Sequence, residues 1–350
     1  MGDSYNPEVM PAELIKPMDD REKLRLLTRN AATTLLLLLA ALALSAVSPM
    51  GLMGQSPNPP RPQTQAPQAV QITPKIKVNV NLVNVLFTVT NKKKQLVTGL
   101  KKDDFEVFED NHPQTITFFT QETNLPLRIG VLIDTSNSIR DRLDFEKQAA
   151  IDFLNATVRP DEDRAFVVGF DVEPELLQDY TDDVGKLSDA IRELRAGGGT
   201  GLFDAIYYAC KQKMVYSPEP QPYLRRVLII LSDGRDNESQ HSLDEALAMA
   251  QRAEAVIFAV STNRSGITER GDKVLTYLAN ETGGRAFFPF EASDLASSFD
   301  AIAKELRSQY SLAYYPTNAA HDGTFRRIRI KPTEKGLHVR ARAGHFAPSS

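Results

Sequence analysis

The period of the hydrophobic pattern changes twice within the folded part of this 350-residue chain, and each change marks a different kind of element. Over residues 76–122, apolar and polar positions alternate in short runs, "VNVNLVNVLFTVTN" and "QTITFFTQ", broken by "NKKKQ" and "EDNHPQ". Alternation at period two with polar breaks predicts half-buried antiparallel strands, the first part of a β module. Lys92, Lys93 and Lys94 then fall on a solvated hairpin tip. Over residues 125–309 the strands become near-continuous apolar runs, "RIGVLI", "RAFVVGFD", "RRVLIILSDG", "AVIFAVS" and "RAFFPF". Between them lie stretches of helical spacing, such as Phe145, Ala149, Phe153 and Leu154 in "DFEKQAAIDFLNATV", and "LFDAIYYACKQKM". Buried strands alternating with amphipathic helices predict an α/β fold, a doubly wound and mostly parallel sheet covered on both faces. Its ligand site belongs outside the carboxyl ends of the strands. Over residues 310–347 the period returns to two, in "YSLAYYP", "TFRRIRIKP" and "LHVRARAGHF". Too few strands lie on either flank to be stable alone, so both flanks are expected to pair into one smaller β module.

Ahead of these elements the composition shifts twice. Arg21, Lys23, Arg25 and Arg29 precede 17 uncharged residues from Ala31 to Val47, the order of a charged region and an apolar core in an export signal. Residues 1–48 are read as a signal peptide or a membrane anchor. Ala43 and Ser45 suit cleavage after Ser45, Met18 is an alternative start, and the run is short beside the roughly 20 residues of an ideal span. No Cys follows the run, which excludes a lipid anchor there. Residues 49–75, rich in Pro, Gln, Ser and Ala, form an extended linker. The expected location is periplasmic, secreted or inner-membrane anchored, with membrane contact only through this segment.

The formal net charge of −4 argues against a general nucleic-acid binder. The single cysteine, Cys210, excludes an intrachain disulfide and a cysteine-rich zinc site, and its apolar surroundings make it a core thiol. The five histidines, including His112, His241 and His321, are scattered through expected loops and flanks and are read as solvated or capping.

Three expected strand or helix junctions carry oxygen-bearing side chains. Asp134, Ser136 and Ser138 follow the strand "RIGVLI"; Gly197, Gly198 and Gly199 lead to Thr200 before a helix; Asp233 follows "RRVLIILS". Brought to one sheet edge, these residues offer two carboxylates and three hydroxyls. Such hard oxygen donors suit Mg²⁺, Mn²⁺ or Ca²⁺. Octahedral Mg²⁺ takes six oxygens, so five protein groups leave a position for an external carboxylate.

Asp134-x-Ser136-x-Ser138, then Thr200, then Asp233, in that order and on those elements, resembles the metal-ion-dependent adhesion site of a von Willebrand factor type A domain over about residues 125–310. The resemblance implies that Ser136 and Ser138 ligate the cation directly. It further implies that Thr200 does so in the partner-bound state, and that Asp134 and Asp233 act mainly through water. The flanks "VTGLKKDDFEVFEDNHPQTITFF" and "YSLAYYPTNAAHDGTFRRIRIK" resemble acidobacterial-type, exported VWFA-related proteins, which extends the likeness to most of residues 75–347. The expected function is therefore divalent-cation-dependent binding of a protein partner that supplies an Asp or Glu carboxylate. Oligomeric state does not follow from the sequence.

Bland roles compete at single positions. Asp204 fits the first turn of a helix, and Asp171 and Asp236 fit turns. A scaffold with a purely structural metal is one alternative reading. A Mg²⁺-dependent phosphoryl-transfer enzyme is another, but Ser136 stands where a second acidic residue would be wanted, and no Lys follows a strand end. Serine hydrolysis lacks both G-x-S-x-G and a suitably placed His.

Overall fold

The computed structural model describes residues 82–122, 124–215, 224–263, 265, 267–289 and 291–349. The leader and linker expected over residues 1–75, and the beginning of the first expected strand, lie outside that set. Among the described residues no helix is long and apolar enough to cross a membrane.

The chain begins with β1 (Val83–Thr90), β2 (Phe105–Glu109), β3 (His112–Gln114) and β4 (Ile116–Glu122). The α/β region follows with β5 (Leu127–Asp134), α1 (Leu143–Thr157), β6 (Arg164–Phe170), β7 (Pro174–Thr181), α2 (Val184–Glu193) and α3 (Leu202–Tyr208). It continues through β8 (Arg225–Ser232), α4 (Leu243–Arg252), β9 (Ala255–Ser261), α5 (Arg270–Thr282), β10 (Arg285–Phe287) and α6 (Ala292–Leu306). β11 (Gln309–Tyr314), β12 (Phe325–Pro332), β13 (His338–Ala341) and β14 (Gly344–Phe346) end it.

The central sheet has the order β10-β9-β8-β5-β6-β7. All neighbours are parallel except β7, which closes one edge antiparallel to β6. All eight residues of β5 are buried, as a strand covered on both faces requires. Ile129, Val131 and Ile133 face one core, packed with Leu154 of α1, Ile191 of α2 and Ile302 of α6. The other face is covered by α3, α4 and α5. The chain leaves β5 for β6 on one side and later returns to β8 on the other, so the strand order reverses between β5 and β8. That is the switch point where loops diverge and leave a crevice.

The flanking β module comprises two sheets, β13-β1-β11-β4 and β14-β12-β2-β3. In each, strands from before the α/β region pair antiparallel with strands from after it, as in Val83↔Tyr314 and Ile328↔Glu109. Their inner faces share one core of Val85, Phe87, Phe105, Val107, Leu312 and Ile330. Aromatic rings stack at its centre, Phe87 lying 5.1 Å from Phe105 and 5.4 Å from Tyr310. Ties to the α/β region are polar: Glu305 near the end of α6 accepts from Thr88 Oγ1 at 3.2 Å and from Arg340.

Three details differ from the sequence expectation. The edge strand β7 was not foreseen. The helix expected over "LFDAIYYACKQKM" is α3 followed by a π-helical turn, Ala209–Val215. His345 is neither solvated nor capping: it is buried, with Nε2 2.9 Å from Glu109 Oε2.

The start of the sheet is held by one carboxylate. Asp163 is fully buried and accepts from the Leu127 amide at 2.8 Å, the Arg159 amide and Nε at 3.0 Å each, and Arg307 Nη2 at 2.5 Å. Burial alone pushes this carboxyl up, but the bonds from Arg159, Arg307 and the Leu127 amide outweigh it and hold it below the usual range. A depressed carboxyl stabilises the fold above the unfolded-state value, and that contribution disappears as the pH falls through the folded-state value. We expect Asp163→Ala to lose about 3–5 kcal/mol in urea unfolding at neutral pH, because Arg307 loses its carboxylate, Arg159 keeps only Glu162, and the buried Leu127 amide loses its acceptor. The deficit should shrink below about pH 4. A variant as stable as wild type at pH 7 would contradict this role.

Candidate metal centre

β5 ends at the switch point with Asp134, whose carboxylate is fully buried. Its Oδ1 accepts the Ser136 amide at 2.9 Å and its Oδ2 accepts Ser232 Oγ, from the end of β8, at 2.7 Å. Ser232 Oγ also accepts the Gly234 amide at 3.0 Å, so one hydroxyl joins β5 to the loop after β8. Among the described residues no Lys, Arg or His pairs with Asp134. Burial pushes its carboxyl up to about 6, the bonds from Ser232 and Ser136 oppose this, and the charge of Asp233 adds to it. An anionic side chain desolvated in this way needs a positive charge. The donors around it are hydroxyls and a second carboxylate, which suits a hard cation.

Ser136 is buried and Ser138 exposed, with their Oγ atoms 2.9 Å apart across a 3-10 turn, Asn137–Ile139. Adjacent oxygens in an octahedral Mg²⁺ shell, at about 2.1 Å from the ion, lie about 3 Å from each other. The two hydroxyls therefore already have the spacing of neighbouring ligands. Asp233 is half-buried; its Oδ1 caps the Arg235 amide at 3.0 Å, and Oδ2 lies 3.8 Å from Arg235 Nε. Arg235 reaches on to Glu269 at 2.6 Å.

Thr200 is buried at the head of α3, and the loop after β8 holds it from both sides. Its amide donates to Asn237 Oδ1 at 2.8 Å, and its carbonyl accepts the amides of Asn237 and Glu238 at 3.0 and 3.2 Å. The next positions extend the seam. Asp236 Oδ1 accepts the Phe203 amide, Ser239 Oγ accepts the Asp204 amide, and the Asp204 carboxylate accepts the amides of Gln240 and His241. His241 lies with Nδ1 2.6 Å from Asp204 and its ring stacked 3.7 Å from Tyr207. Asp204 and Asp236 thus have structural roles, as their sequence context suggested.

The third seam runs through Asn137, whose amide and Nδ2 both reach the Gly198 carbonyl, at 3.4 and 3.2 Å, while the Gly197 amide donates to Thr135 at 2.7 Å. Gly198 has φ +71° and presses on Asp171, whose carboxylate caps its own turn. Gly234, at φ +75°, lies so close to Gly271 that a Cβ would stand 2.3 Å from its carbonyl oxygen. Only glycine permits both the angle and the approach.

All five expected site residues therefore lie on three mutually bonded loops at one sheet edge. Asn137, Ser232 and Asn237, which fasten those loops, were not singled out beforehand; Ser232 left a trace as a hydroxyl closing an apolar strand, as Ser261 does at the end of β9. Among the described residues no group of three or more His, Cys, Asp or Glu is placed to hold a metal.

The model of the von Willebrand factor type A domain matches residues 129–305. The chain belongs to this family, whose domain spans the sheet, its helices and all three loops. No curated protein matches it in sequence. Among solved structures it is similar to the PilB minor pilin of Streptococcus sanguinis at 13% identity and TM-score 0.42, over 53% of this chain and 62% of the pilin. It is similar to the vWF domain of the type V pili tip protein Mfa5 of Porphyromonas gingivalis at 16% and 0.44, over 52% and 95%. It is also similar to proximal thread matrix protein 1 of the mussel byssus, solved with a zinc-occupied MIDAS motif, at 17% and 0.46, over 63% and 50%. The chain thus spans under two thirds of the pilin and half of the byssus protein.

Because the raised pKa of Asp134 means that the metal-free fold holds a proton the unfolded chain gives up, stability should fall as pH rises from about 4 to about 6, then level off. Asp134→Asn should abolish this slope. At pH 7, without metal, the variant should gain about 1–2 kcal/mol of the roughly 2–3 that the buried charge costs. Chemical unfolding across that pH range checks this, and a less stable variant would refute it.

Proposed function

We propose that this protein is an exported module that binds a protein partner through a divalent cation, Mg²⁺, Mn²⁺ or Ca²⁺, held at the end of β5. Ser136, Ser138 and, with a partner engaged, Thr200 contact the ion. Asp134 and Asp233 balance its charge through water. When bound, the ion supplies an electrophilic position that an Asp or Glu of the partner completes. With few direct carboxylates the charge on the ion is left under-compensated, which favours an anionic sixth ligand.

One observation carries this reading: the buried, unpaired carboxylate of Asp134 stands where three loops meet, beside two hydroxyls already at ligand spacing. Membership of the type A family supports it, and export rests on the pattern of residues 1–48. The loops that follow β5, β6, β8 and β9 contain no Lys, which favours a binding site over phosphoryl transfer. No observation favours a purely structural metal.

Water-proton relaxation with Mn²⁺ tests the reading. The protein should enhance relaxation at a single saturable site, and added glutarate should lower the enhancement by displacing metal-bound water. Ser136→Ala should weaken Mn²⁺ binding at least tenfold while leaving the far-UV and thermal unfolding signals unchanged. A Ser136→Ala titration that overlays wild type would reject the assignment.

A further inference from the structure

Beside the three loops lies a groove of about 580 Å³ between the start of α1 and the end of α2. Arg140, Lys147, Arg192 and Arg195 line it with only Asp144 and Glu193 among the acids, a local excess of two positive charges in a chain of net charge −4. Two of the four cations are already engaged. Lys147 lies 3.5 Å from Asp144 and donates to the Arg192 carbonyl, and Arg192 pairs with Asp189 at 2.8 Å. Arg140 and Arg195 are exposed, and among the described residues neither has a carboxylate within ion-pair distance.

Two of its lining residues are tied to the loops of the candidate metal centre. Arg140 stands two residues after Ser138 and donates to Asn137 Oδ1 at 2.8 Å. Asn137 in turn holds the Gly198 carbonyl, two residues before Thr200. Arg195 begins the segment that leads through Gly197–Gly199 to Thr200. A chain leaving the cation along this side therefore meets guanidinium groups carried by the same two loops that carry the hydroxyls. Guanidinium forks match carboxylates in geometry and are weakly hydrated, so they favour acidic side chains over a neutral surface.

We propose that this groove receives an acidic segment of the partner: one carboxylate completes the cation and neighbouring Asp or Glu residues pair with Arg140 and Arg195. The inference rests on the cation-binding reading above and adds the partner's chemistry, a run of acidic residues and not a single one. Such a surface also speeds encounter, since its attraction acts over about a Debye length, 8–10 Å at physiological salt.

The test uses the full chain and a fluorescein-labelled hexaglutamate peptide, read by anisotropy in saturating Mg²⁺, with Mg²⁺ titrated separately by calorimetry. Arg140→Gln/Arg195→Gln should weaken the peptide about tenfold, the sum of two exposed ion pairs, and leave the Mg²⁺ isotherm unchanged. Wild-type affinity should fall with added salt and with chelator, and hexaglutamine should not bind. Unchanged peptide affinity in the double variant, with an intact Mg²⁺ isotherm, would overturn the groove while leaving the cation site standing. Peptide affinity that is indifferent to chelator would overturn the cation-completed mode itself, and with it this proposal.

Discussion

A carboxylate with no cationic side chain beside it among the described residues sits at the carboxyl end of the central strand, and much of the surrounding structure is arranged around that fact. Asp134 is fully buried and bonded by Ser232 and by the Ser136 amide, yet these neutral donors leave its charge uncompensated. A fold under selection for stability alone would replace such a group with an apolar one, since buried charge without a partner is costly. The loops around it are correspondingly over-determined. Asn137 fastens the serine turn to the glycine run, and Asn237 fastens Thr200 to the loop after β8. Hydroxyls that must meet one small ion are useful only if held within fractions of an ångström, and these bonds supply that restraint.

The rest of the molecule keeps the strand end in place. Asp163 anchors the opposite end of β5 by accepting the Leu127 amide and joins it to α6 through Arg307. From near the end of α6, Glu305 reaches the flanking sandwich at Thr88 and Arg340. In the sandwich, Glu109 gathers Tyr314 at 2.8 Å and His345 at 2.9 Å, binding strands from both flanks of the chain. The polar groups that the apolar cores exclude are thus paired at the joints between layers, where they fix register as well as stability.

How much of this was legible in the sequence depended on whether burial was symmetric. β5, β8 and β9 are covered on both faces, so their unbroken Val/Ile/Leu runs identified them as parallel core strands, and the crevice at their carboxyl ends followed. β7 is a half-exposed edge strand, "PELLQDYT", with no regular alternation, so nothing marked it. Alternation in the flanks predicted strands and pairing between the two ends of the chain. It could not assign β1 to one sheet and β2 to the other, because period two reports which face is inward and not which strand lies alongside. His345 read as a flank histidine because its partner, Glu109, is 236 residues away. The five candidate ligands stood out through their residue types at strand ends. Asn137 and Asn237 did not, because an Asn in a loop is equally good at capping its own turn.

The most direct measurement is an anomalous difference map from crystals of the protein soaked in Mn²⁺. The account requires one peak beside the end of β5, with Ser136 and Ser138 Oγ each about 2.2 Å from the ion and Asp134 separated from it by water. A peak coordinated directly by both Asp134 and Asp233 and remote from the two serines would contradict it, as would a saturated crystal with its manganese elsewhere.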